Sequence, residues 1–220
     1  MDKKESLNKK EDLAAPKVPG LSAKAFGIIK FILGICLLPM VYAVSAAFLN
    51  EFSLVDKALQ DVFWCGIVVF LIIYLFVWEP VFIYLRGQKI LEILFAFVRP
   101  LVRVAPYLLP IYTIILFLFY LLASLVLKQK ELVNYFVFLA GFSIALHLVF
   151  GAKSLRTKQG DFLKGNYIFG FSFVYIVNVV IAALIINFVF DKFSFVNFSS
   201  NSFQTAKNVF YAVFKQLFLR

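Results

Sequence analysis

The stretch that decides the fold is YIFGFSFVYIVNVVIAALIINFVF, residues 167–190. Its 24 residues carry no charge. As a helix rising 1.5 Å per residue it would be about 36 Å long, enough to cross a hydrocarbon core of about 30 Å. Four other runs share this character: residues 26–48, 62–85, 106–127 and 132–150. Together the five cover about half of the 220 residues, and only Lys30 and Glu79 inside them are formally charged. Alternating ten-residue strands are absent from the pattern, and helices then remain as the spanning structure that satisfies its own backbone. The expected fold class is all-α: a polytopic integral membrane helical bundle of about five transmembrane helices plus interfacial amphipathic helices.

The composition outside the runs agrees. Apolar residues make up 63% of the chain and mean hydropathy is +0.92. Charged residues are 15%, too few to coat a soluble domain of this size. Phe alone accounts for 29 residues. Phe, Ile, Lys and Asn are enriched together, the pattern of A/T-rich codons, and the Phe excess is read as compositional.

The net charge of +10 is topological, since Lys and Arg fall in short segments between the apolar runs and form no nucleic-acid-binding face. Five alternating spans place 14 of them on the side of residues 1–25, with the 86–103 and 153–164 loops. Seven fall on the other side. The richer side is expected to be cytoplasmic. This puts the N-terminus in and the C-terminus outside, in a cell inner membrane. Residues 43–47 resemble a signal-peptidase site, but the polar region before the first span is long and contains acids, so an uncleaved anchor is expected. Residues 1–25 should be a disordered basic cytoplasmic tail, 26–190 the membrane domain and 191–220 an interfacial segment. Within the last, Thr205–Leu219 sets Val209, Phe210, Val213, Phe214, Leu217 and Phe218 at helical spacing. Two readings stand: a helix lying in the interface, or one packed on the bundle.

Chemistry-bearing residues are sparse. There is one histidine, His147, and two cysteines, Cys36 and Cys65, at depths too different for a disulfide. No zinc-ligand spacing, phosphate loop or nucleophile elbow is present, and no cofactor is expected. Four intramembrane polar residues are candidates: Lys30, Glu79, His147 and Asn178. A mid-span carboxylate costs about 2.5–3.5 kcal/mol to insert, so Glu79 needs a partner or a task. Lys30 lies at similar depth and is its predicted partner. The alternative is that Lys30 snorkels and Glu79 meets headgroup water or Arg86. Pro80 should kink the helix beside it. His147 and Asn178, with Asn187, are read mainly as hydrogen-bonded packing residues, and Gly141, Ser143 and Ala145 as a close helix contact.

The run WEPVFIYLRGQKILEIL, residues 78–94, resembles a group of uncharacterised bacterial membrane proteins that are similar to site-2-protease-like intramembrane metallopeptidases. Residues 105–112, Gln159-Gly160-Asp161 and Asn178 fit the same likeness. In that group a Gly precedes H-E-x-x-H, two histidines one turn apart that hold zinc and a Glu base. The corresponding positions here are Gln88, Lys89 and Glu92, and none matches. The resemblance therefore implies a pseudoenzyme that keeps the scaffold and carries no catalytic or metal residue. Residues 88–98 also read as a basic-flanked amphipathic helix at the cytoplasmic surface. The expected function is a non-catalytic scaffold or accessory subunit in contact with the lipid bilayer and with a membrane protein partner or a second copy. The alternative is a small-solute transporter or channel component lined by Glu79, His147 and Asn178; an intramembrane peptidase is the third.

Overall fold

A computed structural model of the protein describes residues 23–126, 131–157 and 167–218. Residues 1–22, most of the expected N-terminal tail, lie outside this set, as does Gln159-Gly160-Asp161. Among the described residues there are eight α-helices and no strand. They are α1 (Ala23–Phe52), α2 (Lys57–Ile72), α3 (Val81–Leu94), α4 (Arg99–Leu108), α5 (Ile111–Val126), α6 (Glu131–Thr157), α7 (Tyr167–Val189) and α8 (Phe195–Phe218). Four segments are long and apolar enough to cross a membrane: Gly27–Phe52, Lys57–Val77, Leu132–Arg156 and Tyr167–Val189. The chain is a multi-pass, all-helical membrane protein.

Two of the expected spans are not continuous. The run 62–85 ends early. After Ile72 the helix widens into a π turn over Ile73–Val77, and the Trp78 N–H donates to the Ile73 carbonyl five residues back, at 2.9 Å. Trp78 is extended, Pro80 offers no amide hydrogen, and the chain restarts as α3. The run 106–127 breaks at Leu109–Pro110. A proline disfavours the helical conformation in the residue before it, and Leu109 is extended at φ −97°, ψ 122°. What looked like one span is therefore the last three residues of the ten-residue α4 followed, after the break, by the 16-residue α5. The C-terminal helix starts earlier than its apolar stripe, at Phe195, and packs on α1. Beyond Val209 the described side chains are exposed.

The bundle is assembled from two tight pairs, α1 with α7 and α2 with α6, joined where α6 meets α7. Lipid is as apolar as the helices, so such pairs are held by close backbone approach and dispersion. The approach is closest at Gly66 on α2 and Gly141 on α6. A side-chain carbon on Gly66 would run into the Phe138 carbonyl oxygen, and one on Gly141 into that of Phe63. Gly34 does the same for α1 against the Phe169 backbone, where a Cβ would sit 2.9 Å from the nitrogen. Near the α1–α2 turn, Phe48, Phe52, Phe63, Phe193 and Phe198 form a buried aromatic cluster, with Phe52 and Phe63 ring centres 5.1 Å apart. The Lys192–Asp56 ion pair, at 2.7 Å, ties the α7–α8 turn to the same end.

Separating α2 from α6 would forfeit the packing of both. Gly66→Val and Gly141→Val should each destabilise the protein by about 1–3 kcal/mol. Gly27→Val, in open space, should be close to neutral. Thermal unfolding of purified protein in lipid nanodiscs compares the three.

Candidate functional site: a helix break held by His147 and Asn178

The α4–α5 break creates a local problem. The last carbonyls of a helix have no partners within it, and here they end inside the bundle. Leu109 N–H takes the Ala105 carbonyl at 2.9 Å. Of the carbonyls that follow, those of Tyr107 and Leu108 are met from outside the helix. His147 Nε2 lies 3.0 Å from the Tyr107 oxygen. A carbonyl has no proton to give, so Nε2 carries the hydrogen and donates. Asn178 Nδ2 donates to the Leu108 oxygen at 3.1 Å and to the Val174 oxygen of its own helix at 2.8 Å. Donors facing a helix C-terminus also lie at the negative end of its dipole.

The neighbourhood is organised around this contact. Asn178 is at the middle of α7 and is 1% exposed; His147 is buried near the middle of α6. One turn along, the buried hydroxyls of Thr113 and Ser143 pair at 2.8 Å, and Ser143 donates to the Ala140 carbonyl, leaving the Thr113 hydroxyl to donate to Ser143. The Tyr84 ring packs on His147, centres 5.9 Å apart, and Gln88 Nε2 donates to the Tyr84 hydroxyl at 2.9 Å. The Tyr112 hydroxyl donates to the Ile83 carbonyl and fastens α3 to the start of α5.

The sequence candidates are thus divided. His147 and Asn178 come together. Glu79 does not join them. It sits in the break after α2 and pairs through Oε2 with Lys153 of α6 at 2.5 Å, both side chains about half exposed. This replaces the expected Lys30–Glu79 pair: the early end of α2 carries Glu79 out to the end of α6. Lys30 is buried on α1 at 4% exposure. Of the degenerate motif positions, Gln88 is the hydrogen-bonded one, whereas Lys89 and Glu92 are exposed. Among the described residues no three His, Cys, Asp or Glu side chains gather where a metal ion could be held. Cys36 and Cys65 are free thiols. Asn187 accepts from the Phe195 N–H at 2.9 Å and so caps α8.

One buried polar residue escaped the sequence reading. Glu51, just past the first apolar run, is 3% exposed, and its Oε1 lies 3.4 Å from Asn201 Nδ2 of α8. Its spacing from Ala43 and Ala47, four residues per step along one face of α1, was the available signal.

No family model, curated protein or solved structure matches the chain. The fold and the site themselves define the class: a polytopic membrane protein with a mid-bundle helix break.

Removing either donor strands a carbonyl away from water. His147→Phe and Asn178→Leu should each cost about 0.6–1.7 kcal/mol, the range for hydrogen bonds between helices in membranes. Reversible unfolding in bicelles measures it; no change in either variant would refute the role assigned to these bonds.

Proposed function

We propose that this is a non-catalytic integral membrane protein that serves as a scaffold or accessory subunit. The observation that carries the reading is how its intramembrane polar groups are used. His147 and Asn178 donate to backbone carbonyls, the Thr113 hydroxyl donates to Ser143 and Ser143 to the Ala140 carbonyl, and Glu79 accepts from Lys153 in an ion pair at one end. Groups spent in this way hold helices in place. The likeness of residues 78–94 to metallopeptidase-like membrane proteins, with Gln88, Lys89 and Glu92 at the motif positions, supports the same reading as a pseudoenzyme.

The positive-inside bias supports an N-terminus on the cytoplasmic side, and the likeness of residues 78–94 to bacterial membrane proteins supports a bacterial inner membrane. In that orientation the α2–α3 break, the Glu79–Lys153 pair and the α3–α4 hairpin lie on the cytoplasmic side. The α1–α2 turn and the start of α8 lie outside.

A second reading, a component of a small-solute transporter or channel, draws on the α4–α5 break itself. Helices interrupted at mid-depth are the usual builders of transport sites. The two readings part on whether water reaches the break.

A scaffold has something to hold. Crosslinking in native membranes before extraction should trap the protein in a discrete complex, with itself or with one partner. A solitary monomer in every lipid tested would count against the proposal.

A further inference from the structure

Helix α1 is covered on two sides. Gly34 and Ser45 face α7, through the Phe169 backbone and the Tyr175 hydroxyl. Ala43, Ala47 and Glu51 recur at every fourth residue on another face, about 150° round the helix at 100° per residue, and all three are buried. Among the described helices the extended contacts of α1 are with α7 and α8. The second face is therefore covered by α8. Small residues let the two backbones approach: Ala43 and Ala47 on α1, and the buried Ala206 on α8.

This fixes the direction of α8. Near its start it lies beside the end of α1, where Asn201 Nδ2 is 3.4 Å from Glu51 Oε1. To cover Ala43 it must run back along α1 from the level of Glu51, a distance of about 12 Å. The same number of residues on from Asn201 is Val209, where the partly buried face of α8 ends. Ala43 is inside the membrane-crossing segment Gly27–Phe52. Helix α8 thus turns back into the bilayer antiparallel to α1.

The surface it carries there is polar. Asn197, Asn201, Gln204 and Asn208, spaced four, three and four residues, form one exposed stripe turned away from Phe198 and Ala206, and Tyr211 continues it. Gln204 and Asn208 lie between the levels of Glu51 and Ala43, and among the described residues their side chains make no hydrogen bond. Against acyl chains such amides would leave donors and acceptors unsatisfied. The four-three spacing is that of the seam between two helices crossing at a small angle. An amide both donates and accepts, so a stripe of amides complements a copy of itself and selects no opposite charge. Lys207 stands on the flank, where its long side chain can turn away from its counterpart.

We propose that two copies of this chain pair through α8 within the membrane, Gln204 and Asn208 each meeting its own counterpart across a two-fold axis along the membrane normal. The pairing gives a scaffold its surface but does not rest on that reading, since a channel subunit would assemble by the same face.

The full chain with Cys36→Ala and Cys65→Ala is reconstituted in phosphatidylcholine vesicles. In that background Gln204→Cys should form a disulfide-linked dimer on oxidation, and Phe203→Cys, at the same depth but off the stripe, should not. Energy transfer between copies labelled at Ser53→Cys measures the dimer without a crosslink. Gln204→Leu with Asn208→Leu should weaken it about tenfold or more, the loss expected for two or more interhelical hydrogen bonds. Both positions are exposed and hold no bond within the chain, so the unfolding temperature of the monomer should stay as it is. Equal crosslinking at the two cysteine positions, or energy transfer that is absent or unaffected by the leucines, would overturn the proposal. A chain that stays monomeric here yet is trapped with another protein in native membranes would keep the scaffold reading and lose this one.

Discussion

The bundle depends on two carbonyl groups. Where α4 stops before Pro110, the Tyr107 and Leu108 oxygens point into the interior of the bundle, and His147 and Asn178 reach them there. Each donor belongs to a different long helix, one to α6 and one to α7. The contact therefore does more than repair a break. It fixes the depth of the short helices against both long ones, at the place where the two tight pairs are joined. An amide or imidazole on an isolated membrane helix would be a cost of insertion; here that cost is offset because the break needs a donor.

The remaining contacts follow from the solvent. Apolar surface gains nothing by leaving lipid for protein, so helices pair where backbones can approach. Gly66 and Gly141 lie where α2 and α6 come closest, and Gly34 where α1 meets α7. Aromatic residues divide in the same way. Phe48, Phe52, Phe63, Phe193 and Phe198 make a core near one end, whereas Phe76, Phe97 and Phe188 are exposed. The first group has a packing role, so the Phe excess is not wholly a habit of composition.

Much of the architecture was legible from the chain. Apolar runs of membrane length identify α1, α2, α6 and α7, because hydropathy and length are what a bilayer demands of a single crossing. Helix breaks were harder to see. Pro80 and Pro110 both stand in apolar surroundings, and Pro39 sits within the continuous α1. The sequence alone therefore does not tell which proline ends a helix; that depends on whether donors from other helices are at hand. The same limit explains the polar candidates. His147 and Asn178 could be read as hydrogen-bonded packing residues, but their common target is a backbone feature that the sequence pattern concealed. Depth alone pairs Glu79 with Lys30, a rule that assumes straight helices, and the π turn and break after Ile72 leave it beside Lys153 instead. Glu51 was hidden because its burial comes from α8, far along the chain.

Through these two bonds His147 and Asn178 should close the break against water. Ser143 lies one turn from His147 in the same buried layer and accepts replacement by a residue of similar size. In protein with Cys36 and Cys65 changed to Ala, Ser143→Cys in bilayer vesicles should stay unmodified by a water-borne maleimide applied to either face. The comparison is the time in which Ser53→Cys, on the exposed α1–α2 turn, is labelled fully. Labelling of Ser143→Cys at a comparable rate from one side would reveal a hydrated path to the break and contradict the account.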